Sequence, residues 1–167
     1  MNIRKAALSE LDNILCIYAY AREQMKKNGN PGQWGDDKPD RQTIVRDIRN
    51  GYCHVIEHEG NICGVFAFLS GEEPTYRVIE GKWTNDSPYG TIHRVASDGS
   101  VRGILKECLD FCERQFRNIR IDTHEDNKIM QKLLEKYGYI KCGIIHVEDG
   151  TPRIAYQKSA AEAADAL

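Results

Sequence analysis

The chain has 167 residues, of which 41% are hydrophobic and 29% are charged, and this composition is typical of one globular domain. Its formal net charge of -2 gives no reason to expect broad binding to nucleic acid or to anionic membranes, which an excess of basic residues would favour. No apolar run approaches the roughly 20 residues that a membrane-spanning helix needs, and an acidic residue interrupts the N-terminal segment where a signal peptide would be apolar. We therefore expect a cytoplasmic protein.

The six cysteines do not form the pattern of a disulfide framework or a metal site. With no export signal, a reducing compartment is expected to keep the thiols free. Cys108 and Cys112 lie four residues apart on a predicted helix, but neither a Cys-x-x-Cys pair nor a nearby histidine completes a ligand set. We predict no bound metal and interpret most of the cysteines as small buried hydrophobic residues.

The first fifty residues predict one strand and two helices. The strand covers Asn2 to Ala6, and Ser9 is the predicted N-cap of the first helix. Apolar residues recur at helical spacing until the Asn28 to Gly32 segment, which is rich in helix-breaking residues. Pro39 near the start and Gly51 past the end bound the second helix.

Three strands and an irregular segment follow. Tyr52 to Glu57 and Ile62 to Leu69 are apolar runs joined by a short turn with a glycine, which predicts a β-hairpin. The segment from Glu72 to Tyr89 contains two prolines and predicts only a short, irregular strand at Tyr76 to Ile79. Thr91 to Ala96 predicts the next strand.

The last third alternates helices and strands. An apolar face that includes Ile104 and Leu109 predicts a third helix, and two strands flank a turn at Glu148 to Gly150. With no internal repeat and no linker, residues 1–158 are expected to form one α/β domain. Residues 159–167 are rich in alanine and acidic residues, and we expect a flexible tail there.

The segment from Ile121 to Tyr139 carries the strongest functional signal. A strand ends in the polar turn from Thr123 to Asn127, and a short amphipathic helix then runs to Gly138. This order places Asn127 at the start of a helix and beside the end of a strand. Unpaired backbone groups and a side-chain amide can contact an extended ligand at such a position.

A second candidate is the loop from Ser97 to Gly103, which joins a strand to a helix and contains two glycines. Such a loop presents backbone N–H groups and the positive end of the helix dipole to an anion, so it suits a pyrophosphate. Glycine is also used in tight strand-to-helix turns that bind nothing. The loop by itself leaves both interpretations open.

The chain resembles the GNAT superfamily of N-acetyltransferases over roughly residues 2 to 158. The order of strands and helices is similar, and the family's second motif, N-x-x-A-x-x-L-Y-E-x-x-G-F, is matched by Asn127, Leu133, Glu135, Gly138 and Tyr139. The resemblance implies a mixed central β-sheet flanked by about four helices. It also implies acetyl-CoA as the acyl donor.

Cofactor contacts follow from the same resemblance. The stretch from His93 to Ala96 is similar to the family's fourth strand, so backbone groups of Val95 and Ser97 would pair with the pantetheine arm. Asn127 would contact the cofactor from the other side. The loop amides that would hold the pyrophosphate belong to Gly99, Ser100, Val101, Arg102 and Gly103.

Two departures from the family pattern bear on these assignments. The R/Q-x-x-G-x-G/A motif is degenerate here: counting back from the helix places Gly99 and Val101 at its G/A positions, whereas anchoring on Arg102-Gly103 shifts the register. The tyrosine that commonly protonates the leaving thiolate would fall at position 134, which is Leu134. General acid catalysis typically contributes about 10² to 10⁴-fold, so water can replace such an acid at some cost in rate.

His93 is the first candidate for a general base, because imidazole exchanges a proton near neutral pH. Glu80 is a second candidate. A histidine on a strand can equally be a packed, hydrogen-bonded residue, and that alternative stays open.

Both tryptophans fall in segments that would build the acceptor pocket of this fold. Gln33 and Trp34 lie in the first segment, and Tyr76 and Trp83 lie in the second. Aromatic rings with acidic neighbours suit a cationic amine. The alternative is that both tryptophans only cap the core.

These features predict an acetyl-CoA-dependent N-acetyltransferase acting on a primary amine of a small molecule or peptide in a ternary complex. One alternative is a non-catalytic CoA-binding or sensor domain, motivated by Leu134 and the degenerate loop. Another is an acyltransferase that uses a different acyl-CoA. The acceptor and the choice between monomer and homodimer stay open.

Overall fold

The computed structural model describes residues 1–160. Its strands are β1 (Asn2–Lys5), β2 (Cys53–His58), β3 (Asn61–Ser70), β4 (Glu80–Gly81), β5 (Gly90–Ser97), β6 (Asn118–Thr123), β7 (Ile140–His146) and β8 (Pro152–Ser159). Its α-helices are α1 (Leu11–Lys27), α2 (Arg41–Arg49), α3 (Ile104–Glu113) and α4 (Lys128–Lys136). Within this range, no helix is both long enough and apolar enough to cross a membrane.

The strands form one mixed sheet in the order β1-β2-β3-β5-β6-β8-β7-β4. β5 and β6 are parallel, and every other neighbouring pair is antiparallel. The predicted α/β architecture, a mixed sheet flanked by four helices, is confirmed.

The sheet buries both of its faces. Because side chains alternate along a strand, Val55 and Val65 pack into one core beside α1 and α2, whereas Ile56 and Phe66 pack into a second core beside α3 and α4. All four side chains are completely buried. Each such side chain contributes about 1.5 to 3 kcal/mol to folding, so helices on both faces are needed to hold the sheet.

β5 and β6 separate after three residue pairs. Ile92 opposite Ile121 is the last pair, and β5 then continues to Ser97 with β3 as its only neighbour. Backbone groups on the β6 side of this stretch therefore face a cleft instead of a strand. The start of α4 forms the opposite wall of the cleft.

A β-bulge lies where the two strands separate. The pairing of β5 with β3 skips Arg94 and Val95, which together oppose Phe66. Arg94 has a φ of +54°, and its conformation is held from two sides. Its guanidinium lies 2.7 Å from the buried carboxylate of Asp47, and the Tyr18 hydroxyl donates a 2.8 Å hydrogen bond to its carbonyl oxygen. The surrounding structure thus fixes a strained backbone at the mouth of the cleft.

The predicted N-cap at Ser9 is wrong. A 3-10 turn at Leu8–Glu10 precedes α1, and the Glu10 carboxylate accepts a 2.8 Å hydrogen bond from the backbone N–H of Ala7. Arg4 holds that carboxylate through a 3.1 Å hydrogen bond, so Glu10 satisfies the start of this segment instead of Ser9.

The predicted strand at Tyr76 to Ile79 is also wrong. Pro74–Tyr76 is a 3-10 turn, and the Glu73 carboxylate accepts a 3.2 Å hydrogen bond from the backbone N–H of Thr75. The short strand lies further on, where β4 pairs with β7 at the far edge of the sheet. Of the predicted tail, Ser159 belongs to β8, and residues 161–167 lie outside the described residues.

Candidate active site

Two cavities meet at the cleft between β5 and α4. The first, which we call the α4 groove, has a volume of about 360 Å³; its lining includes Tyr20, Gln24, Asn30, Val95, Ser97, Gly99, Leu105, Ile129 and Leu133. The second, which we call the central cavity, has a volume of about 630 Å³; its lining includes Gln33, Trp34, Glu73, His93, Arg94, Asp122 and Arg153. Both cavities are also lined by Met25, Val95, Asn127 and Met130, which form their junction.

The glycine loop after β5 borders the groove closely. Gly99 has a φ of +79°, and a Cβ atom built at this position would overlap the Tyr20 hydroxyl. The backbone conformation therefore favours glycine at this position, and any side chain here would displace the exposed Tyr20.

The first N–H groups of this loop are hydrogen-bonded within the loop, whereas the later ones are free to bind a ligand. The N–H of Gly99 donates to the Ser97 hydroxyl at 3.0 Å, and the N–H of Ser100 donates to the Asp98 carboxylate at 2.9 Å. From Val101 to Leu105 the N–H groups have no acceptor within residues 1–160. They include the start of α3, where the helix dipole favours an anion.

Asn127 is the N-cap of α4, as its sequence position predicts. Its Oδ1 atom accepts a 3.1 Å hydrogen bond from the N–H of Met130, and its Nδ2 atom donates to the Oε1 atom of Gln33 at 3.0 Å. Asn30 donates to the same Gln33 oxygen at 2.8 Å. Because the Met130 N–H fixes which way the Asn127 amide faces, it also orients the other two amides. The network ties the segment after α1 to the start of α4 across the junction.

One atom of this network has no partner. Asn30 is 3% exposed and lines the α4 groove, yet its Oδ1 atom has no hydrogen-bond donor among the described residues. A buried acceptor without a donor costs free energy, so this oxygen favours a ligand that brings an N–H or O–H group.

His93 lies in the central cavity between two carboxylates. Its Nε2 atom is 3.1 Å from Oε2 of Glu73, and its Nδ1 atom is 3.9 Å from Oδ2 of Asp122. The Tyr76 hydroxyl donates to the same Asp122 oxygen at 2.7 Å. These contacts place the imidazole in a strongly negative environment on the wall of the cavity.

The Glu73 carboxylate is ionised under ordinary conditions. Burial alone would raise its pKa, but the hydrogen bond and the positive charge of a protonated His93, together with hydrogen bonds from Thr75, outweigh burial and lower the pKa to about 2. An ionised Glu73 accepts a hydrogen bond from Nε2–H of His93, which leaves the lone pair on Nδ1.

The structure brings some of the predicted site residues together and leaves others outside. His93, Gln33 and Trp34 line the central cavity, and the Trp34 ring makes an edge contact with Tyr18 at 5.6 Å between centroids. Glu80 is exposed on β4 and lines neither cavity.

Tyr76 and Trp83 pack behind the cavity wall. Trp83 donates from its indole N–H to the carbonyl oxygen of Tyr76 at 3.1 Å, and its ring lies 4.1 Å from the guanidinium of Arg120. Tyr76 reaches the site from behind, through its hydrogen bond to Asp122 and through a tilted ring contact with His93 at 6.1 Å between centroids. These two aromatic residues therefore support the site without lining it.

The described residues that line both cavities, Met25, Val95, Asn127 and Met130, include no ionisable side chain. Leu134, at the position where the family motif has tyrosine, is completely buried in the core. We therefore assign no residue as general acid.

Sequence reasoning missed Glu73, Asp122 and Arg153. Glu73 was visible only as one of several acidic residues in an irregular segment. Asp122 is the last residue but one of the buried strand β6, and a carboxylate near a strand end is a weak signal for a site. Nothing in the local sequence of Arg153 distinguishes it from other basic residues.

The chain belongs to the acetyltransferase (GNAT) family, whose model it matches over residues 17–139. The predicted family is thereby confirmed. Acetyl-CoA is the acyl donor of this family, which confirms the predicted cofactor. A comparison with curated proteins finds no match.

Solved structures agree with this assignment. A GNAT-family acetyltransferase from Streptococcus agalactiae is 36% identical, with 96% of each chain covered and a TM-score of 0.87. A ribosomal-protein-alanine N-acetyltransferase from Brucella melitensis is 20% identical, with 95% of this chain and 99% of that chain covered and a TM-score of 0.61. The yncA protein of Salmonella typhimurium, solved with acetyl-CoA, is 18% identical, with 99% of this chain and 98% of that chain covered and a TM-score of 0.60. The last two show the shared fold alone.

The groove of this chain fits the cofactor. It offers the edge of β5, an unpartnered amide oxygen on Asn30 and, beyond Gly99, a series of free N–H groups at the start of α3. An extended arm with amide groups and a pyrophosphate has the matching donors, acceptors and negative charge.

Proposed function

We propose that the protein is an N-acetyltransferase that moves an acetyl group from acetyl-CoA to a primary amine of a small molecule or peptide, by direct attack in a ternary complex in the cytoplasm. One observation carries the proposal: a groove suited to the cofactor and a cavity holding His93 and an ionised Glu73 meet at a common junction. A donor and an acceptor can therefore reach the same point from two sides.

The residues that would hold acetyl-CoA come from three elements. Backbone groups of Val95 and Ser97 would pair with its pantetheine arm, and Asn127 would border it from α4. The free N–H groups from Val101 to Leu105 would bind the pyrophosphate. Gly99 allows the loop to adopt a positive φ and to pass close to Tyr20. Bound acetyl-CoA supplies the activated thioester carbonyl.

His93 serves as the general base in this proposal. With Nε2–H donated to Glu73, its Nδ1 atom accepts a proton from the attacking amine, and the resulting imidazolium is stabilised by Glu73 and Asp122. The two carboxylates thus act on the rate through His93.

The backbone N–H of Val95 is the candidate donor to the developing oxyanion. The β-bulge removes Val95 from pairing with β3, and β6 has already turned away. The Asp47–Arg94 ion pair and the Tyr18 hydroxyl hold this backbone in place before a ligand arrives. Loss of one such preorganised donor typically costs about 10² to 10³-fold in rate.

The acceptor would enter the central cavity, whose volume suits a small molecule or the end of a peptide. Trp34 and Gln33 line it, and Glu73 and Asp122 give the amine end a negative field. Of the four predicted acceptor residues, we keep Gln33 and Trp34 in this role, because Tyr76 and Trp83 lie behind the wall.

A non-catalytic CoA-binding domain is the second candidate, because the junction has no ionisable side chain and Leu134 is buried in the core. Thiol release from acetyl-CoA, measured across a panel of primary amines with mass detection of the acetylated product, separates the two. Amine-dependent release supports the transferase. Micromolar CoA binding without thiol release or product from any amine would establish the binding domain instead. The same assay with longer acyl-CoA donors tests the alternative of an acyltransferase that uses a different acyl-CoA.

A further inference from the structure

Arg153 is a buried cation on the wall of the central cavity. It lies at the start of β8, lines the central cavity and is only 8% exposed. Its guanidinium donates to three uncharged oxygens: the carbonyl of Pro152 at 2.8 Å, the hydroxyl of Thr151 at 3.0 Å and the carbonyl of Gln33 at 3.2 Å. Within residues 1–160 no carboxylate lies within 4.0 Å of it.

The other charges of the cavity do not compensate for it. Asp47 is paired with Arg94, Glu73 is paired with His93, and Asp122 accepts from the Tyr76 hydroxyl. None of these three carboxylates lies within 4.0 Å of Arg153.

The two remaining acidic residues of the lining are exposed to solvent. Asp149 reaches Arg153 only through Thr151: its carboxylate accepts from the N–H and the hydroxyl of Thr151, at 2.9 and 2.6 Å, and the same hydroxyl accepts from the Arg153 guanidinium. The hydrogen bonds from Thr151, and after them the charge of Arg153, lower the pKa of Asp149. Glu148 makes no ion pair with Arg153. On the basic side, Lys38 is paired with Asp40. Arg153 is thus a buried cation on the cavity wall that no carboxylate of residues 1–160 contacts directly.

Arg120 shows how this fold otherwise accommodates a buried arginine. It lies outside both cavities, and its guanidinium is sandwiched between the rings of Trp83 and Tyr89, at 4.1 and 3.9 Å. The faces of two aromatic rings stabilise a cation that has lost water. Arg153 has no such ring and faces a cavity instead.

We propose that Arg153 binds a carboxylate of the acceptor, so that the acetylated molecule is an amine that also carries a carboxylate group. This inference rests on the proposed function, since it places the amine at His93 and the acid group at Arg153 in the same cavity. A buried charge is normally paired, and a guanidinium matches a carboxylate with two parallel hydrogen bonds.

The body of the acceptor follows from the rest of the lining. Besides its charged groups, the cavity is lined by the partly buried apolar residues Leu69 and Val147 and by Trp34. This lining favours an amino acid with an apolar side chain over a polyamine, because a second ammonium group near Arg153 would be repelled.

Matched substrate pairs test the proposal in the full-length protein. Leucine, methionine and phenylalanine are each compared with the corresponding amino acid amide, which keeps the amine and the side chain but lacks the carboxylate. We expect kcat/KM from thiol release to favour each acid over its amide by roughly tenfold or more, the range expected for hydrogen bonds to a charged group. Arg153→Gln should bring this ratio close to one, and Arg153→Lys should restore part of it.

Arg46→Gln is the matched control, because Arg46 is an exposed arginine on the lining of the same cavity, and the acid-to-amide ratio should not change in this variant. A purely structural Arg153 would lower the melting temperature in Arg153→Gln but leave the ratio unchanged, and that result overturns the proposal. Equal turnover of acids and amides by the unmodified protein overturns it as well, even if no variant folds.

Calorimetric binding of the same acids and amides separates this inference from the proposed function. If no amine releases thiol, but the acids bind more tightly than the amides and lose that advantage in Arg153→Gln, the carboxylate site stands and the transferase proposal fails. If amines are acetylated without regard to their carboxylate, the transferase stands and the carboxylate site fails.

Discussion

The Nε2 atom of His93 lies 3.1 Å from Oε2 of Glu73, and the two residues are 20 positions apart in the chain. One comes from the strand that separates from its neighbour at the cleft, and the other comes from the irregular segment before it. A histidine that is ambiguous in the sequence thus gains a partner that sets its tautomer. The first two predictions test this pair.

Replacing His93 by glutamine should lower kcat by about 10² to 10⁴-fold, because the variant has no group that takes the proton of the amine. The shape of the pH–rate profile should change as well, because that shape reports the essential base of an enzyme. Thiol release measured between about pH 6 and 9 checks both effects. His58→Gln, at an exposed histidine outside both cavities, is the control and should leave the profile unchanged. A wild-type profile in His93→Gln would exclude His93 as the base.

The stabilising contribution of the ionised Glu73 carboxylate should be lost at acidic pH. Its pKa in the folded protein is about 2, below the ordinary value of 4.5, so its contribution is fully present above pH 4.5 and is lost as the pH falls from 4.5 towards 2. The difference in free energy of unfolding between the wild type and Glu73→Gln should therefore shrink over this range. Urea unfolding at a series of pH values measures it.

Glu72→Gln is the control for that experiment. Glu72 is an exposed neighbour that pairs with Arg77, and an exposed pair contributes little at any pH. The same pH trend in both variants would show that the effect does not come from the His93–Glu73 pair.

Gly99→Ala should weaken CoA binding. An alanine there must adopt a φ of +79°, and its methyl group would displace Tyr20 from the wall of the α4 groove. Gly60→Ala is a matched control, because Gly60 has a φ of +80° with open space around it. Both variants should lose about 1 to 2 kcal/mol of stability from backbone strain. Only Gly99→Ala should raise the Kd for CoA in calorimetry, and equal Kd values in the two variants would contradict the placement of the groove.

Asn127→Ala should lower stability and CoA affinity together. It removes the N-cap of α4, worth about 0.5 to 2 kcal/mol, and breaks the link to Gln33 across the junction. Asp40→Ala removes the N-cap of α2, a carboxylate that accepts from the N–H of Thr43 at 2.8 Å. That control should lose a similar amount of stability with an unchanged Kd for CoA. Asn127 would have a capping role alone if its variant behaved in the same way.

The cysteines should differ widely in their reaction with a thiol reagent. Cys16 is exposed, whereas burial raises the pKa of Cys53 to about 12 and keeps it protonated. The native protein should therefore react first at Cys16, and Cys16→Ser should remove the fast phase. Rapid labelling of Cys53 in the folded protein, located by mass mapping, would contradict its burial.

Local patterns were sufficient for most of the fold. Helical spacing of apolar residues, glycine and proline at the ends and alternation in the strands predicted the four helices and most of the strands. The predictions at Ser9 and at Tyr76 to Ile79 were wrong because a glutamate side chain accepts a hydrogen bond from a nearby backbone N–H and stabilises a 3-10 turn there. Arg4 holds Glu10 in one case, and the Glu73 carboxylate and Pro74 favour a turn in the other.

The sequence by itself determined the α/β class, the position of Asn127 at a helix start and the family motif around it, because each depends on residues that are close in the chain. Only the tertiary structure decided which side chains share the central cavity. Glu73, His93 and Asp122 converge because β5 and β6 are parallel neighbours that separate at Ile92, and Arg153 arrives from β8 on the far side of β6. Sheet order and strand separation are long-range properties set by the packing of two cores, and no local spacing encodes them.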